Sequence, residues 1–147
     1  MQSTRLAALG VACALVLGLP ACAGDGTTDP GDNPGDGTPT FTEDVQPIFS
    51  ANCAFSGCHG GASPAQGMNL SAGQAYLNTV GVPSVELPGM DRIEPGQPDQ
   101  SYLVNKIQGT QASVGGSGQR MPLGGSALSQ DDIDTIRAWV EAGASNN

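Results

Sequence analysis

The stretch CAFSGCHG, residues 53 to 60, brings together two of the four cysteines and the only histidine of the chain. Two thiols beside an imidazole suit three chemistries: a thioether-anchored haem, a zinc half-site, or a small disulfide loop that precedes a histidine. A structural zinc asks for four ligands, and after Cys53, Cys58 and His59 only a carboxylate is left to complete the set. A Cys53–Cys58 disulfide suits an oxidising compartment but leaves His59 without a use. The haem reading employs all three, with each thiol adding to a vinyl group and His59 binding iron next to the second attachment.

The spacing departs from the usual C-x-x-C-H, because four residues separate Cys53 from Cys58. On a regular helix, cysteines five apart diverge by about 140°, so the segment is expected to bulge, with Gly57 supplying backbone freedom. A second iron ligand is sought among the methionines. Met68 and Met90 read as apolar filling. Met121, in QRMPLGG, stands in a loop ahead of the last helix, where Pro122 stiffens its approach; an axial thioether is the expectation and loop packing the alternative. The neighbouring Arg120 is a candidate partner for a haem propionate, against the more frequent outcome of a solvated surface arginine.

These residues need a scaffold, and only part of the 147-residue chain can supply it. Residues 1–21 carry one positive charge at Arg5 and an apolar run from Leu6 to Leu19, the layout of an export signal. The ending LPAC resembles a bacterial lipobox and makes Cys22 the expected lipidated N-terminus, with an ordinary secretory signal or an uncleaved anchor as alternatives. Cys13 falls within the signal. Residues 22–40 are mostly Gly, Asp, Pro and Thr and read as a flexible tether with a reach of roughly 20 to 25 Å. The domain is expected over residues 41–147.

That domain has six aromatics (Phe41, Phe49, Phe55, Tyr76, Tyr102 and Trp139) and many glycines, so its own core is thin and a prosthetic group, metal or disulfide is wanted to fill it. From Cys22 onward 14 acidic residues face 4 basic ones, a balance that argues against nucleic acid or anionic lipid as a partner. Short helices are expected throughout. Asp44 as N-cap starts the first and sets Pro47 at N3; a start at Thr40 with a Glu43 capping box pushes Pro47 into the interior at about 3 kcal/mol, so the later start is preferred. A second helix follows Ser71. A third runs from about Asp99 to Gln108, presents Tyr102, Leu103 and Ile107, and stops at Gly109. The last is capped by Ser129, with Ile133, Ile136, Trp139 and Val140 as its buried stripe and Gly143 at its end. Two long Gly- and Pro-rich gaps show no convincing strand pair, and loops of that length suggest an all-α domain wrapped around a ligand.

With PIF ahead of Cys53, CHG at residues 58 to 60, GMNL at 67 to 70, MP at 121 and 122 and an amphipathic last helix, residues 41–147 resemble a class I cytochrome c of the small exported bacterial type. The resemblance implies a cytochrome c-like fold with crossing terminal helices, one covalent haem c on Cys53 and Cys58, and His59 and Met121 as axial ligands. It also implies that a carbonyl of the Gly67–Leu70 segment receives the second N–H of His59; Met68 stands where the family has proline.

The function expected is therefore single-electron transfer by Fe(III)/Fe(II) cycling rather than catalysis. The carrier is expected to be a monomeric lipoprotein of the outer membrane, facing the periplasm or cell surface and serving redox partner proteins. The alternatives are a non-redox lipoprotein closed by a Cys53–Cys58 disulfide, or a haem-binding sensor with an open distal site. A hydrolase reading lacks a second histidine to act as base.

Overall fold

A computed structural model describes residues 37–147. The export signal, Cys22 and most of the tether lie outside the described residues. The described part is all-α: four short helices, α1 (Gln46–Asn52), α2 (Ala75–Thr79), α3 (Tyr102–Gln108) and α4 (Gln130–Glu141), joined by long loops and single helical turns. No helix among the described residues is long and apolar enough to cross a membrane.

The first helix differs from the expectation. The chain turns at Thr40, whose Oγ1 accepts from the Glu43 N–H at 3.2 Å while its own N–H donates to the Asp44 carboxylate at 2.7 Å. Phe41–Val45 then forms one wide π turn that runs on into α1 at Gln46, with Val45 and Gln46 both in helical conformation. That wide turn removes the conflict between a Thr40 start and Pro47. The proline falls in the first turn of α1, directly after the wide turn, whose longer-range bonding (Gln46 N–H to the Phe41 carbonyl) leaves room for its ring.

Helix α2 starts at Ala75 rather than just after Ser71, because Gly73 takes a φ of +75°, which a right-handed helix cannot contain. Asp99 does not cap α3 either. It lies in a 3-10 turn, Pro98–Gln100, and its carboxylate pairs with Arg137 at 2.9 Å, while Ser101 occupies the cap position with its hydroxyl donating to the Gln97 carbonyl at 2.9 Å. Gly109 ends α3 in the left-handed conformation, as expected. Helix α4 also follows the sequence reading: Ser129 Oγ accepts from the Asp132 N–H at 3.1 Å, and Ile133, Ile136, Trp139 and Val140 are buried.

Helix α4 packs on the π turn and on α3. Phe41 joins the two chain ends of the core, with its ring 5.3 Å from Trp139 and 5.5 Å from Tyr76, centroid to centroid. Backbone bonds seal the seam, since the Thr42 N–H donates to the Asn147 carbonyl at 2.9 Å. The described residues hold no β-strand; isolated pairings of Val80 with Ile93 and Pro83 with Asp91 fold residues 80–93 into a strap. One core cluster runs through all four elements, and Cys53, Met68 and Met121 pack at its margin.

Candidate functional site

The segment between the cysteines is a closed loop. After α1 ends at Asn52, the N–H groups of Cys58 and Gly60 both donate to the Phe55 carbonyl at 3.0 Å, and the His59 N–H returns to the Cys53 carbonyl at 3.1 Å. Gly57, at φ +84°, makes the bulge that four intervening residues require. Gly60 is fixed for a different reason: any Cβ there would run into the Ala54 carbonyl, a backbone atom with nowhere to move. The loop thereby sets His59 by main-chain geometry alone.

His59 is buried, with 8 % of its surface exposed, and its Nδ1 lies 3.3 Å from the Met68 carbonyl. Burial is the main influence on the imidazole and lowers its pKa from the usual 6.5, against smaller opposing effects of the Met68 and Ala65 backbone. A neutral ring beside a carbonyl carries its proton on Nδ1, which leaves the Nε2 lone pair free to bind an electrophile or metal. The Leu70 N–H donates to the His59 carbonyl at 2.7 Å and the Ala65 N–H to that of Cys58, so the 65–70 segment that supplies the acceptor is itself tied to the loop.

His59 opens on a cavity of about 350 Å³ that Met121 also lines, together with Met68, Leu103, Val85 and Leu123. Such a volume suits a small-molecule or cofactor site. Val85 and Leu123 are more than half exposed and form its mouth. Polar side chains complete the lining, among them Arg92, Tyr102, Glu86 and Lys106. Arg92 is buried and donates to the carbonyls of Asn78 (2.7 Å) and Gln66 (2.8 Å), and burial lowers its pKa. A guanidinium remains charged even so, and this one makes neither of the two carboxylate pairs found among the described residues. A buried cation on a cavity wall attracts an anionic ligand group.

The structure thus brings His59 and Met121 to one cavity. It does not bring Cys53 and Cys58 to its lining. Cys53 packs half-buried against the core, where burial first and Cys58 second push its thiol up to about 11, whereas Cys58 is exposed; the two thiols are unbridged. Arg120 is also off the lining, because its side chain lies along Gly109. The polar part of the lining held no sequence signal. Arg92 sits in an irregular strap, and Lys106 falls within a helix whose apolar stripe explains its neighbours. Among the described residues no three His, Cys, Asp or Glu side chains converge as a metal site.

No protein-family model matches this chain, and comparison with curated proteins and with solved structures likewise yields no match.

Proposed function

We propose that the chain is a monohaem c-type cytochrome with a cytochrome c-like fold, a carrier of single electrons tethered to the outer membrane through lipidated Cys22. The observation that carries this reading is the pairing of a buried, neutral, carbonyl-oriented His59 with Met121 on one largely apolar cavity. The donor pair fits the group: imidazole nitrogen and thioether sulfur are common donors to its iron, and the lining is largely apolar with Arg92 as a cation for a propionate, while the two thiols lie off the lining and would have to turn toward it. His59 and Met121 would hold the iron, with Cys53 and Cys58 as the attachment thiols. When bound, haem supplies a one-electron Fe(III)/Fe(II) couple.

The protein's own residues do the rest. The Met68 carbonyl fixes the His59 ring and raises its basicity by accepting from Nδ1–H. Met68 and Leu103 keep water from the interior of the cavity, and Val85 and Leu123 keep its mouth apolar. Arg92, rather than Arg120, is the cation positioned to offset propionate charge.

The test is expression with c-type maturation factors followed by denaturing electrophoresis and a peroxidase stain. A stained band at the mass of the chain is expected, and it disappears when both thiols are replaced by alanine. A wild-type chain that matures into the same compartment without retaining haem overturns the reading. Intact mass then counts how many thiols are consumed.

A further inference from the structure

Met121 belongs to a stretch with almost no structure of its own. After the 3-10 turn Gln111–Val114, residues 115–128 run without a helix, and the Met121 backbone has one anchor, its N–H donating to the Lys106 carbonyl at 2.9 Å. The side chain of the same lysine supplies a second anchor. Lys106 Nζ, on a side chain 8 % exposed, lies 2.7 Å from Glu86 Oε2 and 3.3 Å from the Ser117 carbonyl. Tyr102, one helical turn earlier, clamps Ser117 from the other side: its hydroxyl donates to the Ser117 carbonyl at 2.8 Å and accepts from the Ser117 N–H at 3.1 Å.

Gly118 closes over this knot. It takes φ +77°, and a Cβ there would approach Glu86 Oε1 and Lys106 Nζ to 2.6 Å. Three segments therefore meet at one buried ion pair: the strap through Glu86, α3 through Lys106, and the loop that delivers Met121. Removing two charges from water is expensive, and an apolar pair of similar volume often serves stability as well or better. What an apolar pair cannot do is add a second donor to the Ser117 carbonyl beside the Tyr102 hydroxyl.

We infer that Lys106 and Glu86 are positioning residues for the Met121 thioether, fixing the loop at Ser117 and Gly118, just ahead of the ligand, so that sulfur would stay on the iron. This inference rests on the axial reading above, and the experiment separates the two. In the matured ferric protein, methionine ligation gives a far-red sulfur-to-iron charge-transfer band, and added imidazole displaces the thioether at a rate set by how readily the loop opens. Lys106→Met keeps the apolar stem and removes the ammonium. Combined with Glu86→Met, so that no charge is left unpaired, it should leave covalent haem and the thermal midpoint near wild type while speeding imidazole binding by about tenfold or more. Glu86→Gln should shift the rate the same way, and Lys106→Arg should restore much of the slow binding.

A lowered thermal midpoint with an unchanged imidazole rate would mean a structural role only, and it overturns the inference. So does an unchanged rate at an unchanged midpoint. If the double variant does not mature, Glu86→Gln alone decides by the same criteria. A wild-type protein with covalent haem but no far-red band removes the Met121 reading and this inference with it, leaving His59 and the thioethers standing.

Discussion

The two loops that present His59 and Met121 are held in opposite ways. The Cys53–Gly60 loop closes on itself, with three of its N–H groups spent on the carbonyls of Cys53 and Phe55 inside the same eight residues. The loop through Met121 lacks such a tight ring and takes its fixity from Tyr102, Lys106 and Glu86, with Gln111 donating to the Gly118 carbonyl at 3.2 Å. Local closure gives a ligand that is set once the chain turns, whereas borrowed closure gives one that depends on three distant segments packing together. On the proposed role as an electron carrier the division would be useful: His59 would be a permanent ligand, and Met121 one whose affinity the fold can tune.

The largest effect that bears on this contrast concerns the thiols. If the Cys53–Gly60 loop is a rigid ring, its two sulfurs stay in different surroundings even without haem. Cys53, held to about 11 against an ordinary 9.0, has a thiolate about a hundredfold scarcer than a free cysteine, on top of its burial. Alkylation of the haem-free chain near pH 8, read by peptide mass, should therefore mark Cys58 long before Cys53. Equal rates would show that the loop is not closed.

A pair of alanine substitutions compares the loops directly. Gly60→Ala drives a methyl against the Ala54 main chain, which cannot yield without opening the ring, so a loss of about 1–3 kcal/mol is expected in thermal or urea unfolding. Gly116→Ala meets the far end of the buried Tyr102 ring, a side chain that yields by giving up its two bonds to Ser117 rather than by moving main chain. Its cost should be smaller, and it should appear as a looser Met121 loop rather than a lower midpoint. A Gly116→Ala penalty as large as that of Gly60→Ala would erase the distinction.

The smallest effect is in pH. Folding lowers the His59 pKa below 6.5, so the unfolded chain takes up a proton that the folded chain refuses. Stability from this group is complete above about pH 6.5 and falls as pH drops through and below that value. Urea midpoints of the haem-free chain should decline from about pH 7.5 to about pH 5.5, and His59→Gln should flatten that decline. A His59→Gln profile parallel to wild type would place the imidazole in solvent.

The same contrast explains what the sequence disclosed. A bulged turn between Cys53 and His59 was legible because spacing and Gly57 are local facts, and so was α4, where Ser129, Asp132 and a 3.6-residue stripe agree. The start of α1 was not, since a propensity argument about Pro47 weighs α-helix against no helix and does not contemplate a π turn at Phe41–Val45. Nor was the polar part of the cavity lining. Arg92 reaches the cavity because the strap folds back through Val80 and Ile93, and Lys106 turns inward because Glu86 and Ser117 meet it there. Those are consequences of tertiary packing, and no window of neighbouring residues contains them. Met121 was found from its loop and its chemistry, but not the knot that holds it.

One comparison tests the central claim most directly: the ferric absorption spectrum of the matured protein beside that of Met121→Ala. The account predicts a far-red sulfur-to-iron band in the wild type that vanishes in Met121→Ala, with the haem still covalently retained and an exogenous ligand now binding readily. Identical spectra from the two proteins, or a wild type without the band, would contradict the pairing of His59 and Met121 across one haem.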